Sequence, residues 1–422
     1  MKILCINYAH FITGGSERYL FNIVDKLKEH GHEIFHFSMY SKDNYDCPEK
    51  DYFASPINST GNFFFEEKAD LKSKLKNISR LFYSKEVENK LDRLIKDKKP
   101  DVAYILNYHK KLSPAVLVAC KKNGLPVFSR LSDYLIMCPK ATFYRDRKIC
   151  EACKNGKFNS VRNKCIKGSI IASLLWYTAD KYHHLKNFYK HIDSFVATNE
   201  FMKTKLTEYG FKNDIHVINT FAPSAKEYMI SYSEKMKSRQ FVYVGTIYKD
   251  IKGVELIFEA FKILQEKGMK FKLKVIGRDI DNIIRDKYQE LIEHEDIEYI
   301  EHIEHKDKDK ILKVFAESLY FLNPVIIYEN FPNVILESYS VGTPVISTDI
   351  GSIKTMISEG NTGYLVKYNS VDDLVEKITT ALNVTEEKYT QMQNNCIRKI
   401  ETEWDAETHY QKLITMFNEY LK

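Results

Sequence analysis

The sequence begins the same structural pattern twice, once at its N-terminus and once near residue 241. The first copy reads KILCIN, then the loop YAHFITGGS, then a segment whose apolar residues from Leu20 to Leu27 recur at helical spacing. The second copy reads FVYVGTI, then a loop with Lys252 and Gly253, then VELIFEAFKILQEKG. A strand, a glycine-containing loop and a helix form the start of a parallel α/β sheet. The repeat therefore predicts two such sheets in one chain.

The length of 422 residues agrees with this division, because it exceeds what one hydrophobic core usually holds. Further apolar segments alternate with helix-like segments in both halves, which favours an α/β fold with two doubly wound Rossmann-like domains. We predict one domain over residues 1–221, a second over 222–403, and a C-terminal helix over 404–422 that packs back toward the first. The link between the domains is predicted near Phe221–Gln240. Ligands of this fold class bind in a cleft at the carboxyl ends of the strands.

The apolar runs of the sequence are short. The N-terminus has no long apolar stretch and no small-residue cleavage site, so it predicts a buried strand rather than a signal peptide. The run IIASLLWY at 170–177 falls well below the ~20 residues that a membrane span needs. We therefore expect a cytoplasmic protein that is soluble or peripheral to the inner face of the membrane.

Two carboxylates stand eight positions apart in the stretch YENFPNVILESYSVGTPVIS, at Glu329 and Glu337. Pro332 suits the first position of a helix, because its fixed φ fits there and its missing N–H would be unpaired anyway. Glu329 then lies in the loop before the helix and Glu337 more than a turn inside it. Both acids can face a ligand at the helix N-terminus, whose free N–H groups suit a phosphate.

The segment ENFPNVILESYSVGTPVISTDIGSIKTMI resembles the E-x7-E signature of glycosyltransferase family 4, whose members are retaining sugar transferases of the GT-B fold. Three more segments resemble the family in the same order, so the resemblance covers nearly the whole chain: GGSERYLFNIVDKLKEHGHEI, HIDSFVATNEFMKTKLTEYGF and YVGTIYKDIKGVELIFEAF. It implies that a sugar passes from a UDP- or GDP-sugar to a growing, lipid-linked glycan of bacterial surface polysaccharide. It also implies that catalysis needs no cofactor.

The resemblance also implies a role for each matching residue. Glu329 would contact the sugar and favour positive charge at its anomeric carbon, and Glu337 would accept hydrogen bonds from the ribose diol. Lys252 would supply a cation to the diphosphate, the backbone N–H groups of Asn330 and Phe331 would assist, and the Gly14-Gly15 loop would let the backbone approach it closely. The predicted donor site also includes Pro332 and Asn333.

Two positions depart from the family pattern. Thr246 stands where the family has an arginine of the phosphate clamp, so Arg278 or Lys249 would have to compensate. Ser132 replaces a histidine that contacts the donor sugar, although the next residue of that motif, Asp133, is retained. His109 follows a predicted strand and is another candidate for the cleft. These departures leave a second interpretation open, in which the chain is a non-catalytic GT-B-shaped partner or glycan-binding subunit of a transferase complex.

Four cysteines form the pattern C-x11-C-x2-C-x11-C within an insert at about 138–168 of the N-terminal domain: Cys138, Cys150, Cys153 and Cys165. A cytoplasmic chain rarely keeps disulfides, so this spacing favours a tetrahedral structural zinc site. Reduced thiols and a redox pair are the alternatives.

The region around the insert is basic. Residues 101–200 contain 17 Lys and Arg against 7 Asp and Glu, in a chain of net charge +6. The helix-like segment that follows the insert mixes lysines with Trp176, Tyr177, Tyr182, Phe188 and Tyr189. This composition is typical of a helix resting on anionic lipid, and the alternative is a helix packed on its own domain. No recognisable nucleic-acid-binding module is present in the sequence, so a nucleic-acid partner is not expected.

Overall fold

A computed structural model describes residues 1–57, 71–248, 251–301 and 308–421. The chain divides into two compact units, and each is described by itself. The first unit comprises Met1–Ala141, Glu151–Asn219 and His409–Lys422, and the second comprises Thr142–Cys150 and Thr220–Thr408. The prediction placed the whole cysteine insert in the N-terminal domain, whereas Thr142–Cys150 groups with the second unit because its side chains pack there.

The described strands of the first unit form a parallel six-stranded sheet of order β2-β1-β3-β4-β7-β8. Their bounds are β1 Lys2–Ile6, β2 Glu33–Phe37, β3 Val102–Ile105, β4 Val127–Arg130, β7 Ser194–Ala197 and β8 Asp214–Val217. The helices are α1 Gly15–Glu29, α2 Leu71–Phe82, α3 Lys85–Lys98, α4 Ala115–Lys122, α5 Asn159–Arg162, α6 Ile170–Leu185, α7 Glu200–Glu208 and most of α17 Ala406–Glu419.

The described strands of the second unit form another parallel six-stranded sheet, of order β11-β10-β9-β12-β13-β14. Their bounds are β9 Gln240–Val244, β10 Lys272–Ile276, β11 Ile297–Ile300, β12 Tyr320–Asn323, β13 Val345–Thr348 and β14 Gly363–Val366. The helices are α8 Tyr232–Ser238, α9 Val254–Glu266, α10 Ile283–Lys287, α11 Gln289–Ile292, α12 Lys308–Glu317, α13 Asn333–Ser340, α14 Ile353–Met356, α15 Val371–Leu382 and α16 Glu386–Thr402. A short antiparallel hairpin, β5 Tyr144–Arg145 with β6 Lys148–Ile149, also belongs to this unit.

The two parallel sheets confirm the α/β prediction of two doubly wound halves. Apolar side chains cover both faces of the second sheet, which is expected of parallel strands whose connecting helices lie on either side. One layer packs around Phe258 and Phe261 of α9, and the other around Ile335 and Tyr339 of α13. These layers fix the loops at the carboxyl ends of the strands.

The C-terminal helix α17 packs within the first unit from His409 onward. The Tyr19 hydroxyl and the His409 Nε2 atom are 2.8 Å apart in a hydrogen bond, and the Phe417 ring lies 4.7 Å from that of Phe128. The last helix in the sequence therefore completes the core around the first sheet.

The aromatic residues after the insert are mostly structural. Trp176, Phe188 and Tyr189 are buried, and Tyr177 and Tyr182 are half-buried. Of the two alternatives left open for this segment, packing on its own domain therefore holds for the three buried rings. The apolar residues that α6 does expose are Ile170, Ile171, Leu174 and Leu185.

Candidate functional site

A carboxylate and an ammonium group meet at one edge of the second sheet. Lys252 lies in the loop between β9 and α9, and Glu329 lies in the loop between β12 and α13. Because β9 and β12 are neighbouring parallel strands, their carboxyl ends reach the same edge. The Lys252 Nζ atom and the Glu329 Oε1 atom form an ion pair there, with 29% and 17% of the side chains exposed. Two residues that are 77 positions apart thus form one partly accessible charged group.

The two loops approach each other backbone to backbone. Gly253 has a left-handed φ of +71°, and a Cβ atom at this position would overlap the carbonyl oxygen of Pro324. The Ile326 N–H donates to the Ile251 carbonyl oxygen at 3.1 Å. On the other side, the Ser352 hydroxyl donates to the Glu329 carbonyl oxygen at 2.7 Å. The position of the ion pair therefore depends on a contact that only glycine permits.

The helix α13 begins one residue later than the sequence predicts. Pro332 is the N-cap with an extended backbone, ψ 117°, and Asn333 is the first helical residue. The proline ring offers no hydrogen-bond acceptor, so it cannot cap the first N–H groups of the helix. Phe331 is buried, and its ring packs edge-on against Trp404 at 5.3 Å between ring centroids. Asn330 and Glu337 are half-buried, before the helix and inside it respectively.

The remaining predicted donor-site residues of this unit lie at the ends of β9 and β10. Thr246 is half-buried, and its carbonyl oxygen accepts from the Tyr243 hydroxyl at 3.3 Å. Arg278 is exposed, and its carbonyl oxygen accepts from the Ile247 N–H at 2.9 Å. Lys249 lies outside the described residues. Arg278 therefore stands in the strand-end loop adjacent to Thr246, and its guanidinium is accessible.

In the first unit, a buried acid holds the glycine loop that precedes α1. Gly14 is the N-cap of α1 and Gly15 its first residue. The Glu17 side chain is buried and accepts hydrogen bonds from the Thr13 hydroxyl at 2.7 Å, the Ser16 hydroxyl at 3.0 Å and the Asn7 side-chain N–H at 3.2 Å. We did not predict Glu17 as a site residue. An acid in the first turn after a double glycine was the available signal.

The other predicted residues of the first unit follow β3 and β4, which are neighbouring strands. Burial lowers the pKa of His109 to about 3, so this imidazole is neutral near pH 7. Asp133 is exposed, and its carboxylate accepts a hydrogen bond from the Leu135 N–H at 2.8 Å. Ser132 is half-buried. His109 also lines a small cavity of about 20 Å³ with Lys110, Ile136, Trp176, Asp180 and His183.

The cysteine insert contributes a buried ion pair to this unit. The Lys157 Nζ atom lies 2.6 Å from the Asp180 Oδ1 atom, and both side chains are largely buried. Within the described ranges, no group of three or more His, Cys, Asp or Glu side chains is placed to hold a metal ion. Structural zinc at Cys138, Cys150, Cys153 and Cys165 therefore stays a prediction.

Comparisons with known proteins agree with the geometry of the second unit. Residues 224–399 match the family model described as glycosyl transferases group 1. The C-terminal half therefore contains a group 1 glycosyltransferase domain. This group 1 domain includes Lys252, Glu329 and Glu337.

The chain is 27% identical to the capsular polysaccharide biosynthesis glycosyltransferase CapM of Staphylococcus aureus, over 54% of this chain and 59% of that protein. The chain thus spans little more than half the length of the curated relatives it matches.

Solved structures resemble nearly the whole chain. Sucrose-phosphate synthase of Thermosynechococcus elongatus has a TM-score of 0.69 at 13% identity, covering 99% of this chain and 98% of that one. Anabaena HepE, solved in complex with UDP-glucose, has a TM-score of 0.65 at 14% identity, covering 99% and 100%. These likenesses confirm the GT-B fold class predicted from the sequence.

Proposed function

We propose that the chain is a retaining glycosyltransferase that moves a sugar from a nucleotide-diphosphate donor to a growing, lipid-linked glycan in bacterial surface polysaccharide synthesis. The observation that carries this proposal is the Lys252–Glu329 pair at the strand ends of a group 1 glycosyltransferase domain. The similarity to a capsular polysaccharide transferase supports the acceptor class. The Anabaena structure with UDP-glucose supports a UDP-sugar donor.

The charges of the site suit a diphosphate leaving group. Lys252 supplies a cation, and the first turn of α13 supplies N–H groups that favour an anion. Glu329 can release Lys252 to the phosphates when the donor binds, and its carboxylate then favours positive charge at the anomeric carbon. Glu337 accepts hydrogen bonds from the ribose hydroxyls. Arg278 supplies the cation of the phosphate clamp in place of the arginine that is replaced by Thr246.

The transfer itself requires no strong protein base. The bond from the anomeric carbon to the donor phosphate breaks, the acceptor oxygen bonds to the same face of that carbon, and the departing phosphate oxygen takes the acceptor proton. His109 is neutral near pH 7, so it supplies a hydrogen-bonding group and no charge. Ser132 and Asp133 are assigned to the sugar hydroxyls.

The test is a panel of UDP- and GDP-sugars with the purified protein, in which release of UDP or GDP is measured together with the thermal midpoint. We expect one donor to release its nucleotide, and the matching free nucleotide to raise the midpoint through binding to the folded state. A raised midpoint without release from any donor would favour the non-catalytic partner, as the departures at Thr246 and Ser132 suggest. If the protein shows neither nucleotide release nor a raised thermal midpoint, nucleotide-sugar binding itself is contradicted.

A peripheral membrane contact accounts for an exposed apolar patch in the first unit. The patch consists of Phe158, Ile170, Ile171 and Leu174, and the side chain of Ile171 is 81% exposed. Lys164 and Lys167 are exposed in the segment just before α6. Apolar side chains beside lysines are typical of a surface that rests on anionic lipid. Among the residues that the structure describes, no helix is both long and apolar enough to cross a membrane.

We expect Ile171→Glu to weaken binding to phosphatidylglycerol vesicles by about tenfold or more, because one buried isoleucine contributes roughly 1.5–3 kcal/mol. Vesicle co-sedimentation measures this, with phosphatidylcholine vesicles as the uncharged comparison. Ile280→Glu is the matched control, because Ile280 is also exposed but lies in the other unit. Equal binding by the wild type and both variants would contradict a role for the patch.

A further inference from the structure

The hairpin Thr142–Cys150 packs on the two loops that carry the charged pair. Tyr144 is buried in a cluster with Ile326 and Ile327, and Ile251 packs against the same cluster. Ile251 directly precedes Lys252, and Ile326 lies three residues before Glu329. Tyr144 thus belongs to a cluster that includes side chains from both segments that carry the ion pair.

A second aromatic contact holds the residue next to Glu329. Phe143 is fully buried, and its ring packs edge-on against Tyr328 with 5.8 Å between ring centroids. The Tyr368 hydroxyl donates to the Ile326 carbonyl oxygen at 3.2 Å, on the same segment. All three residues directly before Glu329 therefore pack with the hairpin, Ile326 and Ile327 in the cluster of Tyr144 and Tyr328 against Phe143.

The hairpin adopts a backbone conformation that its own sequence does not favour. Phe143, Asp146 and Arg147 all have left-handed φ angles, of 51°, 50° and 61°. Residues with side chains rarely adopt this region, and a two-residue hairpin turn usually has Asn-Gly or Asp-Gly here. The Cys150 N–H donates to the Phe143 carbonyl oxygen at 2.7 Å and closes the hairpin. Packing on the second unit therefore stabilises this conformation.

From these contacts we propose that the hairpin Thr142–Cys150 is a positioning element for the Lys252–Glu329 pair, with Tyr144 and Phe143 as its positioning residues. Neither ring is part of the ion pair. They fix the Ile251 and Ile326–Tyr328 segments, so that the Glu329 carboxylate stays at the place where the sugar would react. The expected effect of the hairpin on kcat rests on the proposed function, whereas its effect on the position of the loops does not.

Amide hydrogen exchange of the full-length protein tests the structural part without any substrate. In Tyr144→Ala we expect the Ile326–Asn330 amides to exchange about tenfold faster, because local opening is less opposed. Tyr144→Phe keeps the ring and should exchange at the wild-type rate. Lys148→Ala is the matched control, because Lys148 is exposed on the same hairpin. Unchanged exchange in Tyr144→Ala would overturn the proposal.

A double-mutant cycle tests the kinetic part. Tyr144→Ala should lower kcat about tenfold or more in the wild type, because small misplacements of a reacting group are costly. In the Glu329→Gln background, the same change should lower kcat by less than about twofold, since effects exerted through one residue are not additive. Equal losses in both backgrounds would show a general structural effect and overturn the proposal.

A variant with a smaller change keeps the test valid if Tyr144→Ala does not fold. Phe143→Leu keeps an apolar side chain and removes the ring contact with Tyr328, and the same faster exchange and non-additive kcat loss are expected. If the wild-type protein transfers no sugar, the proposed function fails, whereas the exchange measurement still decides whether the hairpin positions the loops.

Discussion

Glu329→Gln should lower kcat for sugar transfer by about 100-fold or more, because it removes a charge that stabilises the transition state. Glutamine keeps the size of the side chain and loses only the negative charge opposite Lys252. The ion pair is partly exposed, so the free energy of unfolding should change by less than about 1 kcal/mol. Initial rates with saturating donor and a denaturant titration measure the two quantities.

The control for this substitution is Glu376→Gln, an exposed acid on α15 of the same unit. It should leave kcat and stability at wild-type values. The free nucleotide should still raise the thermal midpoint of Glu329→Gln, because Lys252 and the first turn of α13 are unchanged. Wild-type turnover by Glu329→Gln would contradict the role assigned to this carboxylate.

Gly253→Ala should strongly destabilise the second unit. The left-handed φ of +71° disfavours any side chain, and the added Cβ would overlap the Pro324 carbonyl oxygen. Conformational strain and overpacking together predict a loss of about 3 kcal/mol or more. For a unit of this size, the corresponding fall in the thermal midpoint is about 10 °C, measured by calorimetry.

Gly268→Ala separates the conformational strain from the overpacking. Gly268 has nearly the same left-handed φ, +73°, but no heavy atom within 4 Å of the added Cβ. It should therefore cost only the conformational part, about 1–2 kcal/mol. Equal losses in the two variants would show that the loops can separate without cost, and that the close approach of Gly253 to Pro324 is not what positions Lys252.

Local patterns in the sequence were sufficient for most of the regular structure. The apolar segments KILCIN and FVYVGTI coincide with strands β1 and β9, because buried parallel strands are short and continuously apolar. The edge strand β8 was not predicted, since DIHV contains an acid and a histidine and is only partly buried. Helix α8 was also missed, although Ser231 caps it and Glu234 follows in the S-x-x-E spacing.

Some residues of the candidate site were predicted from the sequence and others were not. The two acids and Lys252 were found from their spacing and from the resemblance, and the group 1 domain includes all three. The buried acid Glu17 was missed although an acid in the first turn after a double glycine was a signal, and its three hydrogen bonds are visible only in the structure. For Trp176, Phe188 and Tyr189 the sequence left a lipid surface and a packed helix open as alternatives, because aromatic residues beside lysines look alike in sequence whether they are buried or exposed.

By itself, the sequence determined most of the strands and helices, the two glycine loops, and two acids of which one precedes a helix and the other lies within it. These features follow from local periodicity and from residue types at fixed spacing. Only the tertiary structure decided that Lys252 pairs with Glu329 and that the hairpin Thr142–Cys150 packs on the loops behind them. Such contacts join residues that are distant in the chain, and their geometry depends on how all the intervening side chains pack.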